Sequence, residues 1–257
     1  MTQRTIIIGD IHGCLEEFDD LLKAAEYTSR DRLVLLGDLV DRGPDPVGVV
    51  RRARELGAES VLGNHEEKHL RYRRHEAKKA AQPGYKNPMK PFTEERLAEH
   101  LSFSEDDWKW IEALPITLQV TDDWVAVHAG FEPSLLIENQ RADKMLRIRY
   151  VDAGTGKMKP IQNDTDQPGG TVRWAEMWSH PHFVAYGHHA LSMEHPVVDR
   201  YTAVNGELYR VALDTACVFG GALSAMILPF DGEPEGSFVS VKSRGTYAQV
   251  WATKGDE

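Results

Sequence analysis

Only two cysteines, Cys14 and Cys217, occur in 257 residues. That excludes a disulfide-stapled scaffold and a four-cysteine zinc site, and it fits a reducing, cytoplasmic setting. Positive charge is also in deficit: 30 Lys and Arg stand against 40 Asp and Glu, a net charge of −10. A surface that binds nucleic acid stably or lies on a membrane is therefore not expected. No signal peptide is legible, because the apolar run Thr5–Ile8 begins almost at once. Long uninterrupted apolar stretches are lacking too. The nearest one, 211–230, is broken by Asp214 and by Gly220-Gly221, whereas a spanning helix needs about 20 apolar residues. It reads as two buried strands around a tight Gly-Gly turn. What remains is 41% hydrophobic and 27% charged, the balance of a folded core rather than a disordered chain.

The first third has a rhythm. Thr5–Ile8 is followed by Gly9-Asp10, then by Leu15, Phe18, Leu22 and Ala25 at helical spacing. A second apolar run at 32–36 ends in Gly37-Asp38, and Val47, Val50 and Leu56 mark a second helix closed by Gly57. A third run at 60–62 ends in Gly63-Asn64-His65. From 10 to 38 is 28 residues and from 38 to 64 is 26, close to the roughly 30 of one βαβ unit. The three polar clusters should lie at one end of neighbouring parallel strands, where open α/β sheets place their sites. Two later runs follow the same grammar: Trp124–Val127 leads into His128, and Phe183–Tyr186 into Gly187-His188.

Two stretches interrupt this rhythm. Residues 68–90 hold eight Lys and Arg against one acid, Glu76, so the stretch is either a solvated helix face or a clamp for an anionic substrate. Residues 138–170 are polar and rich in Gly. His69, His75 and His100 read as surface residues. The last third reads as all-β, with strands near 202–204, 208–213, 222–228 and 247–252. No linker divides the chain, so one domain over 1–257 is expected, with a basic insertion at about 68–100 and a loop-rich one at about 138–175.

The strand ends gather Asp10, His12, Asp38, Asn64, His65, His128 and His188. Imidazoles with carboxylates and an amide oxygen suit Mn, Fe, Zn or Ni; the set is too nitrogen-rich for calcium and too poor in thiol for structural zinc. Six ligands suit two ions about 3.5–4 Å apart that share a carboxylate and clamp a phosphoryl group. His65 directly follows a ligand and can act as general acid, with Asp41 fixing its tautomer. Arg42 offers a planar fork for phosphate oxygens.

The motifs GDIHG (9–13), GDLVDRG (37–43), GNHE (63–66), HAG (128–130) and GH (187–188) resemble the signature series of the phosphoprotein phosphatase family of calcineurin-like metallophosphoesterases. LDTACVFGG (213–221) is similar to the C-terminal hairpin of its bacterial branch, which includes Ser/Thr protein phosphatases and symmetrical diadenosine tetraphosphatases. The histidine that many nucleases of the wider superfamily carry two places after Gly-His is Ala190 here, which sets the chain apart from that branch.

The resemblance implies an α/β fold: a four-layer α/β/β/α sandwich of two mixed sheets flanked by helices, with a dinuclear site at strand C-terminal ends. It implies Asp10 and His12 on the first metal, Asp38 bridging, and Asn64, His128 and His188 on the second, with manganese the expected ion. His65 would be the acid, oriented by Asp41, and Arg42 would bind phosphate. A further arginine after HAG is expected at Arg149, with Arg147 as rival. The implied reaction is phosphomonoester hydrolysis by a metal-bridging hydroxide, on a Ser/Thr phosphoprotein. The alternative is a nucleotide polyphosphate, diadenosine tetraphosphate cut to two ADP. An inactive metal-binding interaction protein is the remote third reading.

Overall fold

The computed structural model describes residues 4–160, 167–203, 206–228 and 237–249. The described chain runs β1 (Thr5–Ile8), α1 (Leu15–Ala24), β2 (Arg32–Leu35), α2 (Pro46–Glu55), β3 (Glu59–Ser60), α3 (Asn64–Ala81), α4 (Glu94–Ser102), α5 (Glu105–Glu112), β4 (Thr117–Gln119) and β5 (Trp124–Val127). It continues with α6 (Ala142–Met145), β6 (Tyr150–Asp152), β7 (Met158–Lys159), β8 (Thr171–Arg173), α7 (Trp174–Met177), β9 (Phe183–Tyr186), β10 (Val197–Ala203), β11 (Gly206–Ala212), β12 (Ala222–Leu228) and β13 (Ser237–Lys242).

The short strands are apolar on both faces because each face serves a different core. Ile6 and Ile8 of β1, with Leu33 and Leu35 of β2, pack against Phe18 and Leu21 of α1, Val49 and Val50 of α2, and Trp108 and Ile111 of α5. The alternate residues Ile7 and Val34 turn the other way and meet Trp124, Ala126 and Val211 from a second sheet. Behind that sheet, Val125, Val127, Val184 and Tyr186 pack on Phe131, Met145, Trp174 and Trp178. The side-chain period of two thus builds the layers directly.

The first sheet is ordered β13-β12-β1-β2-β3 and the second β10-β11-β9-β5-β4. β1, β2 and β3 run parallel, as the motif intervals predict. β5 and β9 are parallel neighbours in the second sheet. The outer layer on the first sheet is helical; on the second it consists of α6, α7 and a small sheet, β7-β6-β8, from the loop-rich stretch. Among the described residues no helix is long and apolar enough to cross a membrane.

The stretch 211–230 departs from its expected hairpin. β11 pairs with β9 and β10 in the second sheet, while β12 pairs with β1 and β13 in the first. Residues 213–221 are therefore a crossover between sheets. Asp214 accepts the Ala216 N–H at 2.9 Å, and Ala216 sits at φ 59°, so the chain bends before the glycines are reached. A Gly-Gly step marks a bend but says nothing about which sheet takes up the next strand. β13 was not anticipated. Of the strand expected at 247–252, Tyr247–Gln249 are not in a strand and the rest lies outside the described residues.

Candidate metal centre

The C-terminal ends of β1, β2 and β3 deliver Asp10, Asp38 and, at the start of α3, Asn64 and His65. The ends of β5 and β9 deliver His128 and His188 from the opposite sheet. Asp10, His12, Asp38, Asn64, His65 and His188 line one cavity of about 260 Å³ with Arg42, Arg149 and Asp214. His128 lies fully buried beside it, its Nε2 2.9 Å from Asn64 Oδ1.

Asp38 is central. One carboxylate oxygen is 3.4 Å from His12 Nε2 and 3.9 Å from His65 Nε2; the other is 3.4 Å from His128 Nε2. It therefore belongs to two clusters, His12–Asp38–His65 and Asp38–His128–His188, each with ligand atoms within 4.8 Å of one another. His12 and His128 direct Nδ1 at the carbonyls of Val40 and Leu36, at 2.8 and 2.7 Å, which leaves Nε2 as the nitrogen that could hold a metal. The Asp10 carboxylate accepts the His188 N–H at 3.1 Å. Gly187 allows that approach: a Cβ there would collide with Asp10.

The electrostatics suit cations. Burial pushes Asp10 well above the usual carboxylate range, and Asp214 and Asp38 push it further. Burial opposes charge at Asp38 as well, yet His128, His65 and His12 hold it below its ordinary value. Burial lowers His12, with Arg42 beside it, and His188, with Arg149 beside it. Neutral imidazoles and crowded carboxylates are the donors a divalent cation requires, so the residues fit the metals that the motifs imply.

Asp41 Oδ2 lies 2.5 Å from His65 Nδ1. Arg42 Nη1 donates to His12 Nε2 at 2.9 Å. Of the two candidate arginines, Arg149 lines the cavity, while Arg147 turns to Glu67 on α3 at 2.7 Å.

Several residues escaped the sequence. Glu66 is fully buried and accepts the backbone N–H groups of Asp38, Leu39, Val40 and Gly63 at 2.7–3.2 Å. Burial and Asp38 push its carboxyl up to about 8, against N–H groups that favour the charged form. Its place directly after His65, in the first turn of α3, is the signal that could have found it. Asp214 reaches the site from the crossover. His69 and His100, expected at the surface, are buried. No residue of 68–100 lines the metal cavity.

The family model of the calcineurin-like phosphoesterases matches residues 3–221. A relative from Oceanobacillus iheyensis, named bis(5'-nucleosyl)-tetraphosphatase PrpE [asymmetrical], is 30% identical over 93% of this chain and 92% of its own. One from Edwardsiella ictaluri, named bis(5'-nucleosyl)-tetraphosphatase, symmetrical, is 39% identical over 50% of this chain and 44% of its own. A crystal structure of a protein described as a candidate diadenosine tetraphosphatase superposes with a TM-score of 0.71, at 30% identity over 95% of this chain and 96% of that one.

Proposed function

The chain belongs to the calcineurin-like phosphoesterase family, hydrolases of phosphate esters, and on that premise we propose that it hydrolyses dinucleoside tetraphosphates. The observation that carries this reading is the end-to-end match to relatives named as bis(5'-nucleosyl)-tetraphosphatases. These names favour the nucleotide alternative over the Ser/Thr phosphoprotein. The relatives matched at 30–31% identity over 93–94% of this chain are named asymmetrical, so the proposed products are a nucleoside triphosphate and a monophosphate rather than two diphosphates.

The site supports the chemistry. Asp10, His12 and Asp38 would hold one divalent cation, and Asp38, Asn64, His128 and His188 a second, with manganese proposed. Bound there, the pair supplies Lewis-acid charge and a water acidic enough to be the nucleophile at neutral pH. With His12 Nε2 given to a metal, Arg42 would be free to bind phosphate oxygens, together with Arg149 of the same cavity. The N-terminus of α3 lies beside the pair, its His65 N–H donated to Asp38 Oδ1 at 3.1 Å, and its dipole favours negative charge there. His65, held at Nδ1 by the Asp41 carboxylate, presents Nε2 and gives a proton to the leaving phosphate oxygen.

The test is product analysis. The manganese-loaded protein is given diadenosine tetraphosphate, and the nucleotides are separated by anion exchange. ATP with AMP in equal amounts is expected. Two ADP would overturn the cleavage mode. A phosphoserine peptide turned over about 10-fold faster, roughly 1.4 kcal/mol in the transition state, would overturn the substrate.

A further inference from the structure

We infer that the stretch 68–100 braces the general acid: His69, Arg96 and Glu99 are positioning residues for Asp41, and His100 is one for His69. The inference rests on the proposed role of His65. Asp41 is 1% exposed, and each of its polar atoms has a partner. Oδ2 faces His65 Nδ1 at 2.5 Å. Oδ1 faces His69 Nε2 at 3.1 Å and accepts from Arg96 Nε at 2.7 Å. Its N–H donates to Glu99 Oε1 at 3.0 Å. His69 comes from α3, and Arg96 and Glu99 from α4, so the insertion reaches the dyad from behind.

The geometry orders the protons. His69 donates through Nε2 to Asp41, so its Nδ1 is an acceptor when the ring is neutral. His100 Nδ1 lies 3.2 Å away and is the donor. Burial lowers His100 to about 4, which keeps it neutral for that bond. The wall around His69 is aromatic: Phe92, Phe103 and Trp108 lie at ring distances of 5.2–6.4 Å. Arg96 is buried and lies over Phe92 at 5.6 Å. Asp41, His69 and Glu99 have the spacing of a metal cluster, but the Arg96 guanidinium already supplies the positive charge at the shared Asp41 oxygen.

A brace is needed because Asp41 and Arg42 occupy the left-handed region, at φ 67° and 74°. That conformation is strained for non-glycine residues and persists only where surroundings fix it. Four directed bonds on one carboxylate and its amide do so. They hold Oδ2 where His65 keeps Nε2 turned to the leaving oxygen.

A general acid matters most when the leaving oxygen is basic. The test therefore compares phenyl phosphate with p-nitrophenyl phosphate, whose leaving group needs no proton. His65→Asn, Arg96→Ala, His69→Ala and His69→Gln are compared with wild type in the manganese-loaded full chain, with bound metal quantified. His65→Asn should lose far more on phenyl phosphate than on the nitrophenyl ester. Arg96→Ala and His69→Ala should show the same bias, about 10-fold in kcat, with KM and metal content unchanged. His69→Gln, which keeps a donor toward Asp41, should recover most of the loss. Arg96→Lys gives the same ratio if Arg96→Ala does not fold. A strong bias in His65→Asn with equal losses on both esters in the other variants overturns the brace alone. No bias in His65→Asn removes the acid role and the brace with it.

Discussion

Strain is concentrated at single residues of the site. His12, Asp38, Asp41, Arg42 and His188 all have positive φ, between 46° and 74°, in a region that non-glycine residues rarely enter. Each stands at or near a strand's end, where the chain must turn sharply to aim a side chain back between the sheets. Glu66 holds the Asp38 turn through four N–H groups. In Glu66→Gln only one oxygen remains, so two buried N–H groups lose their acceptor. The expected loss is about 2–5 kcal/mol of stability, read as a lower denaturation midpoint; a change below about 0.5 kcal/mol would contradict it. Asp10→Asn and His65→Asn should separate binding from chemistry. The first should weaken manganese binding, followed by titration calorimetry. The second should keep the metal and lose about 100-fold or more in turnover. Glycine before Asp, Asn or His after an apolar run made four residues of the cavity legible, Asp10, Asp38, Asn64 and His188. Glu66 and His69 were not, because half of α3 is charged and no apolar stripe marks which of its faces is buried; nor was His100, on α4, where nothing in the sequence pairs it with His69.

Elements were legible where the pattern was local. α1 and α2 follow from apolar residues at helical spacing, and the parallel order of β1 to β3 from the intervals between the Gly-Asp and Gly-Asn steps. Partner choice for β11 and β12 did not, since both are buried on both faces and nothing local distinguishes their sheets. The α5 N-terminus carries a prediction at this scale. Asp107 closes a capping box with Ser104 and pairs with Arg54 of α2. Burial opposes its charge, but Ser104 and Arg54 outweigh it and hold the carboxyl below its ordinary value. A folded-state pKa below the unfolded one near 3.9 stabilises above that value, and the gain disappears as pH falls through the folded-state value. Asp107→Asn should therefore cost about 1–2 kcal/mol at pH 7, with the gap to wild type closing at an acid pH well below the unfolded value. Urea unfolding at both pH values checks this; an unchanged gap in acid would rule out the charge as its source.

At the scale of the whole molecule the site lies across a seam. Asp10, His12, Asp38 and Asn64 follow strands of one sheet, and His128 and His188 follow strands of the other. Between the sheets the packing is apolar: Ile7, Val34 and Met226 against Trp124, Ala126 and Val211. It holds them together without fixing the distance between ligands at their ends. Cations shared by both sets would cross-link the two sheets, and the unfolded chain offers no such preassembled site. Ligand binding confined to the folded state adds about 2.7 kcal/mol at 100 times the dissociation constant. For a chain of this length that corresponds to a Tm rise of roughly 5–10 °C. Manganese added to the chelator-treated protein should produce it, and Asp38→Asn, which removes charge at the position common to both clusters, should abolish most of it. Equal Tm values with and without manganese would mean that the sheets are locked by their apolar faces alone, and that the metals contribute to chemistry but not to the fold.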